Sequence, residues 1–334
     1  MKIVVDAMGT DDAPHSEVAG CVRAFKQQSD LEIVLVGPPS ILEAELKKYH
    51  YPAGCISIEP AADVIGMDEK PAEALRKKPG SSIAVGARLL ADGKGDAFVS
   101  AGNTGAVAAA SLLYIGRAPG VKRPGIASLF PSRSGFSIVI DVGANVSCKG
   151  VNLYQFAVMG EVYYRAIFGK EKPSVGLLSL GEEEEKGYEA IFEAHKLLEA
   201  SSLNYAGHVE GSDILRGTVD VVTVDGFTGN ALLKFAEAVP SMVFSGLRNE
   251  AKRDFIVRIG AWMSRAALRR LRKRWDYAEY GGAPLLGVKS GVIICHGKSS
   301  PKAIKNAVLV ADKFGRAGGA RQIAEMVGSG NDER

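Results

Sequence analysis

The sequence predicts an α/β fold, a largely parallel sheet between layers of helix, on three observations. Short β-branched runs alternate with amphipathic segments along the whole chain. Most of those runs are apolar at every position, which a strand needs when helices cover both of its faces. Three of them, in VSAGNTGA, VIDVGAN and VTVDGFTGN, break into small residues around an Asn.

The strands follow in order. Lys2–Ala7 holds the run Ile3-Val4-Val5, and Glu32–Gly37 holds four apolar residues closed by Gly37. Cys55–Glu59, Asp96–Ala101, Phe136–Gly143, Ser174–Gly181, Val219–Gly226 and Gly291–Gly297 are each β-branched or aliphatic and end at glycine, alanine or a charge. No Pro/Ser/Gly linker or low-complexity stretch interrupts 1–334 before the tail GSGNDER, so one composite unit is expected.

Composition bounds the function. The chain has 334 residues, 46% of them hydrophobic, enough for one large core. Its net charge of +3 is too balanced to argue for a nucleic-acid partner. Cys21, Cys55, Cys148 and Cys295 are scattered, with no Cys-x-x-Cys pair and no histidine at zinc-ligand spacing, so neither a disulfide framework nor a metal is expected. The N-terminal apolar run is three residues, against the roughly 7–15 of a signal sequence, and nothing approaches the ~20 of a membrane span. A cytosolic location is expected, with at most a peripheral membrane contact.

In open α/β sheets ligands collect beyond the carboxyl ends of strands, where glycine lets backbone N–H groups approach. Asn suits such turns because its amide both donates and accepts without adding charge. Any single strand-Gly-Asn turn is ordinary punctuation. Three of them read as walls of one pocket. None matches a P-loop or a dinucleotide fingerprint, and no cofactor is expected.

Ten stretches in order, VDAMGTDDAP, MDEKPAEALRKKPGSSI, VSAGNTGA, RPGIASLFP, DVGANVSCK, QFAVMG, GEEEEKG, VDGFTGN, YGGAPLLG and HGKSSPKAIKNA, resemble the bacterial phosphate acyltransferases of phospholipid synthesis over nearly the whole chain. The resemblance implies a three-layer α/β/α fold like the phosphotransacetylases and the isocitrate/isopropylmalate dehydrogenases, and a homodimer. It implies transfer of a long-chain acyl group from acyl carrier protein to inorganic phosphate, the acyl phosphate then passing to a membrane glycerol-3-phosphate acyltransferase. Three positions depart from the pattern: Thr10 for the usual second Gly, Ser147 for Asp and Gly150 for Pro.

In that reaction phosphate is itself the nucleophile, so the absence of a Ser-His-Asp or Cys-His arrangement is consistent. The site must cradle a dianion, steer it with positive charge and offer donors to a developing oxyanion. Lys186 is read as the steering charge and Glu183 as its orienting partner, against the plain reading of GEEEEKG as a solvated helix start. Asn230 is read as the oxyanion donor with Asp225 orienting it. Gly102, Asn103, Thr104, Gly105 and Asn145 are read as the phosphate cradle, and His296 as the likeliest functional histidine. His15, His50, His195 and His208 read as structural or surface. Arg76, Lys77 and Lys78 could face phosphate or an acidic carrier protein, although basic triplets are usually solvated.

Between Arg248 and Arg274 ten basic residues stand against two acids, a local charge of +8. Phe255, Ile259, Trp262 and Ala266 fall at helical spacing, with Arg258, Arg265, Arg269 and Arg272 on an adjoining face. The segment 240–277 is expected to protrude as one basic amphipathic helix, or two bent near Gly260. Ile256, Val257, Ile259 and Trp262 would then meet the inner face of the membrane, and the arginines that surface or acyl carrier protein. Packing of the apolar face into the core is the bland alternative. A short-chain phosphotransacetylase would share the chemistry without needing this segment. A metal- and NAD-dependent decarboxylating dehydrogenase would need acidic metal ligands that are not seen, and a membrane scaffold would leave the Asn turns idle.

Overall fold

A computed structural model of the chain describes residues 1–181, 187–275 and 279–332. Its strands are β1 (Lys2–Asp6), β2 (Glu32–Gly37), β3 (Ile56–Pro60), β4 (Ala97–Ser100), β5 (Gly125–Ser132), β6 (Gly135–Ile140), β7 (Ser174–Leu178), β8 (Asn204–Val209), β9 (Val221–Thr223), β10 (Ala283–Leu286) and β11 (Gly291–Ile294). The helices are α1 (His15–Gln27), α2 (Pro39–Leu46), α3 (Pro71–Lys77), α4 (Ser82–Ala91), α5 (Thr104–Ala110), α6 (Gly150–Phe168), α7 (Glu189–Glu199), α8 (Gly211–Arg216), α9 (Gly226–Arg253), α10 (Phe255–Met263), α11 (Arg265–Arg274), α12 (Pro301–Arg316) and α13 (Gly319–Asp332).

All eight strands read from the sequence are present, and three more join them. β5, β8 and β10 escape a search for uniform apolar runs because β5 and β10 contain proline and β8 alternates around Gly207. The sheet order is β3-β2-β1-β4-β11-β10-β5-β6-β9-β7-β8. The first five strands are mutually parallel, and so are the last four. Between these blocks β10 runs antiparallel to both its neighbours, and β5 runs antiparallel to β6. Those reversals turn the second block against the first, so the carboxyl ends of the two blocks point to opposite edges of the sheet.

Strand residues alternate between the two layers, as the pleat requires. Ile3, Val5, Val99 and Ile293 face a cluster with Val18, Val22, Ile304 and Val308 of α1 and α12. Val4, Phe98, Val139, Val222 and Val292 face the opposite layer, with Ile83, Ala87 and Val107 of α4 and α5. In the second block Ile138, Ile140, Val175, Leu177 and Val221 pack on α6 and α7 through Leu153, Phe156, Val162 and Ile191. The three-layer α/β/α arrangement is therefore as read, with a mixed rather than uniformly parallel sheet.

Helix α9 begins on this body and leaves it. Leu232, Leu233 and Ala236 still pack on the sheet cluster, while Phe235, Met242 and Val243 are exposed. Helix α10 buries none of its residues: Phe255, Ile256, Trp262 and Met263 are each more than 60% exposed. The alternative that this apolar face enters the core is not what the chain does. The breaks also differ from the expected bend at Gly260. Asp254 ends α9 and caps α10, its Oδ1 accepting from Ile256 N at 2.7 Å and Val257 N at 3.3 Å, and Ser264 separates α10 from α11. Arg258 stacks on Phe255 and Arg265 on Trp262, 5.0 and 4.7 Å from the ring centroids, so the basic and apolar faces are interleaved. Arg269 and Arg272 follow on α11. Among the described residues no helix is long and apolar enough to cross a membrane.

Candidate active site

Two of the three Asn turns meet. β6 is followed directly by Asp141, a fully buried carboxylate. Its Oδ1 accepts from the backbone N–H groups of Ile126, Gly143 and Ala144, and its Oδ2 from Asn145 N at 2.7 Å and Asn145 Nδ2 at 2.9 Å. The Asn145 amide also donates to the Pro124 carbonyl at 2.8 Å. Against this turn lies the start of α9, with Gly226 N donating to the Asn145 carbonyl at 2.8 Å. The approach is too close for any side chain. A β-carbon on Gly226 would come within 2.5 Å of that carbonyl, and one on Gly229 within 1.9 Å of the Asp141 carbonyl.

Asp225 caps α9, accepting from Thr228 N at 2.9 Å and Thr228 Oγ1 at 2.8 Å, with Tyr188 Oη donating at 3.3 Å. Burial, with the Asp225 charge, pushes the Tyr188 phenol up to about 12, so it stays a donor. Asp225 thus acts as a helix cap, where the sequence reading made it the partner of Asn230. Asn230 itself is exposed, and its side chain lies over Gly143, 3.6 Å from where a β-carbon would be.

Beside Asn145 opens a cavity of about 330 Å³ lined by Ala108, Leu112, Arg117, Lys122, Arg123 and Asn145 among others, with no acidic side chain among the described residues of its wall. Arg117 Nη1 donates to the Lys122 carbonyl at 2.5 Å and Arg123 Nη1 to the Ser147 carbonyl at 3.0 Å. Each guanidinium is oriented by one bond and keeps further N–H donors for a ligand. Three cations that pair with no carboxylate among the described residues suit an anion. The sequence reading missed all three, although the signal was there: GRAPGVKRPG sets them within seven residues, in a Gly/Pro loop that no search for a strand-end turn would single out.

The third turn lies elsewhere. Gly102 and Thr104 line a second cavity, of about 230 Å³, with Asp11, Met67, His296 and Lys298. Helix α5 joins the two, since Thr104 faces this cavity and Ala108, about one turn on, faces the cationic one. His296 Nδ1 accepts from Lys298 N at 3.0 Å, which leaves Nε2 as the proton-bearing nitrogen of the neutral ring.

Asn103 is no phosphate ligand. Its Oδ1 caps α5 through Ala106 N, and its Nδ2 lies 3.0–3.2 Å from the carbonyls of Gly66, Met67 and Glu69. Gly102 N is likewise committed, to Ser100 Oγ at 3.1 Å. Gly105 serves packing, because a β-carbon there would meet Pro71 at 2.5 Å. Lys78 of the basic triplet is taken up by Glu69 and the Val64 carbonyl. His15 pairs with Glu45, and His195 bonds Tyr205 beside the His208 ring. Glu183 and Lys186 lie outside the described residues. Of the departures, Ser147 offers only its carbonyl, and Gly150 lets α6 start against α7, its N–H donating to Glu193 at 2.8 Å.

The family model described as fatty acid synthesis protein matches residues 1–322. The phosphate acyltransferase of Pelobacter propionicus is 44% identical over 333 residues, covering 100% of this chain and 96% of the relative. That of Halothermothrix orenii is 45% identical, covering 93% and 94%. Among solved structures, a phosphotransacetylase from Staphylococcus aureus superposes with a TM-score of 0.60 at 16% identity, covering 94% of each chain. A putative 4-hydroxythreonine-4-phosphate dehydrogenase from Salmonella typhimurium superposes at 0.52 and 12%, covering 94% of this chain and 99% of the other. At such identities the structural likeness speaks for the fold.

The Asp141 arrangement makes a direct prediction. Asp141→Asn turns an amide NH₂ toward backbone donors, and Gly229→Ala forces a methyl into a carbonyl. Each should cost about 3 kcal/mol in urea unfolding, whereas Thr104→Ala, at an exposed position, should cost less than about 1.

Proposed function

This chain belongs to the phosphate acyltransferase family, and on that footing we propose that it moves a long-chain fatty acyl group from acyl-[acyl carrier protein] to inorganic phosphate. The observation that carries this reading is the cavity whose wall gathers Arg117, Lys122, Arg123 and the Asn145 amide and, among the described residues, holds no carboxylate. A phosphate dianion is the small substrate such a wall suits, and the flanking guanidinium groups can each grip it with two donors.

A phosphate oxygen attacks the thioester carbonyl carbon, a carbon–oxygen bond forms, the carbon–sulfur bond breaks and sulfur leaves as thiolate. Hydrogen phosphate brings the proton that the thiol finally carries, so the reaction is balanced without another reactant. Holding the two reactants in fixed orientation supplies much of the rate. His296, with its proton on Nε2, donates a hydrogen bond to the leaving sulfur, and the proton that phosphate releases ends on the thiol. A thiol of pKa near 8.5 leaves with modest help, so His296→Ala should lower kcat by no more than about a hundredfold. Asn230 donates to the carbonyl oxygen as charge develops there, and Lys186 with Glu183 steers phosphate inward. No metal or cofactor enters the scheme.

The α9–α11 segment supports the finer parts of the reading. A charge of +8 between Arg248 and Arg274, interleaved with exposed Phe255, Ile256, Ile259, Trp262 and Met263, suits an anionic bilayer. The same arginines can receive an acidic carrier protein. We place the enzyme in the cytoplasm as a homodimer, peripherally held at the inner face of the membrane, where a membrane glycerol-3-phosphate acyltransferase consumes the labile product.

Three measurements test this. Hydroxylamine should trap phosphate-dependent hydroxamate from palmitoyl-[acyl carrier protein] and not from acetyl-coenzyme A; the reverse result would make the chain a short-chain phosphotransacetylase. Arg123→Ala should raise the KM for phosphate by about ten- to a hundredfold, and an unchanged value would remove the cationic cavity from the reaction. Ile256→Glu with Trp262→Glu should abolish flotation with phosphatidylglycerol vesicles while leaving soluble turnover intact.

A further inference from the structure

Outside the groups used so far, two carboxylates, Asp6 and Glu17, are buried with no cation beside them among the described residues, and Glu17 is the one that bonds a loop of the second cavity. Glu17, on α1, has 0% of its surface exposed, and among the described residues it pairs with no Lys, Arg or His. Its partners are on Thr10, whose N–H donates to Oε1 at 2.7 Å and whose Oγ1 lies 2.9 Å from Oε2. The same hydroxyl lies 3.0 Å from Asp12 Oδ1, while Asp12 Oδ2 accepts from Ser16 Oγ at 3.0 Å. The other titratable groups facing Glu17 are Asp6 on β1, Cys21 on α1 and Cys295 just past β11, none of them positive. Burial pushes its carboxyl up to about 7, so at higher pH the charged form is held at a loss in stability. A chain keeps such a group when the site needs it more than the fold does.

What it holds leads to the second cavity. The residue after Thr10 is Asp11, whose N–H donates to the Gly297 carbonyl at 2.8 Å and whose carboxylate lies 3.1 Å from where a β-carbon on Gly297 would stand. Asp11, His296 and Lys298 line that cavity together. Thr10 is also where this sequence departs from the glycine its resemblance leads one to expect, and its hydroxyl adds a second bond to Glu17 beside the backbone one.

We propose that Glu17 is a positioning residue: through Thr10 it holds the Thr10–Asp12 turn against the His296–Lys298 turn and so fixes the imidazole that serves the leaving sulfur. The proposal rests on reading that cavity as the sulfur side of the reaction. Glu17 touches no substrate and acts only through the loop.

The test uses the full chain with Glu17→Leu, Glu17→Gln and His296→Ala side by side. Glu17→Leu should lower kcat about tenfold with the phosphate KM unchanged. Its thermal midpoint at pH 8 should be no lower than that of the unmodified chain, because a buried charge has gone. The sign with pH follows from the raised value: the unmodified chain gains stability as Glu17 protonates below pH 7, so any advantage of the variant shrinks toward pH 5. Glu17→Gln should restore kcat, since an amide oxygen still accepts from Thr10 N–H. Unchanged kcat in Glu17→Leu overturns the proposal, and so does a parallel fall of kcat and midpoint, which marks a purely structural role. Full turnover by His296→Ala would instead overturn the reading of the cavity, and the proposal with it.

Discussion

The candidate site hangs on the hydrogen bonds of one buried carboxylate. Asp141 accepts from four backbone N–H groups and from the Asn145 amide, and in doing so folds the chain back from β6 into the floor of the cationic cavity. Because its lone pairs are filled by fixed donors, the charge is compensated without a cation. That leaves Arg117, Lys122 and Arg123 uncommitted to it. Had a nearby arginine been needed to neutralise Asp141, the cavity would have lost the positive field that makes it an anion site.

The same carboxylate sets where the protruding helices begin. Gly226 and Gly229 press on the Asn145 and Asp141 carbonyls, so the first turn of α9 is locked to the site while its far end leaves the body. Helix α9 thus runs from the wall of the cavity to Asp254, where α10 begins. The exposed apolar side chains of α10 find no partner in the core clusters, and they are stacked with arginine instead of being hidden.

The sheet explains why similar turns do dissimilar work. Between the two parallel blocks, β10 and β5 reverse direction three times, so turns after β4 and β11 open at one edge and turns after β6 and β9 at the other. α5 runs back between them and contributes to both cavities. The division sets a cavity lined by Arg117, Lys122 and Arg123 apart from one lined by Asp11, His296 and Lys298.

How much was legible in the sequence follows from this. The apolar periodicity determined the fold class, the eight principal strands and the basic segment, because burial on both faces and a stripe on one face leave direct marks in residue order. Gly226 and Gly229 were visible as a glycine turn, and Asn145 as part of the site. Tertiary structure alone decided that Asn103 and Asp225 are caps, that the Arg117–Arg123 loop folds over Asn145, and that Glu17 grips Thr10. Each of these depends on which strands become neighbours and in which direction. That choice was made by β5 and β10, whose prolines and glycines hide them from periodicity, and a three-fold repeat of one turn in sequence therefore became two different sites in space.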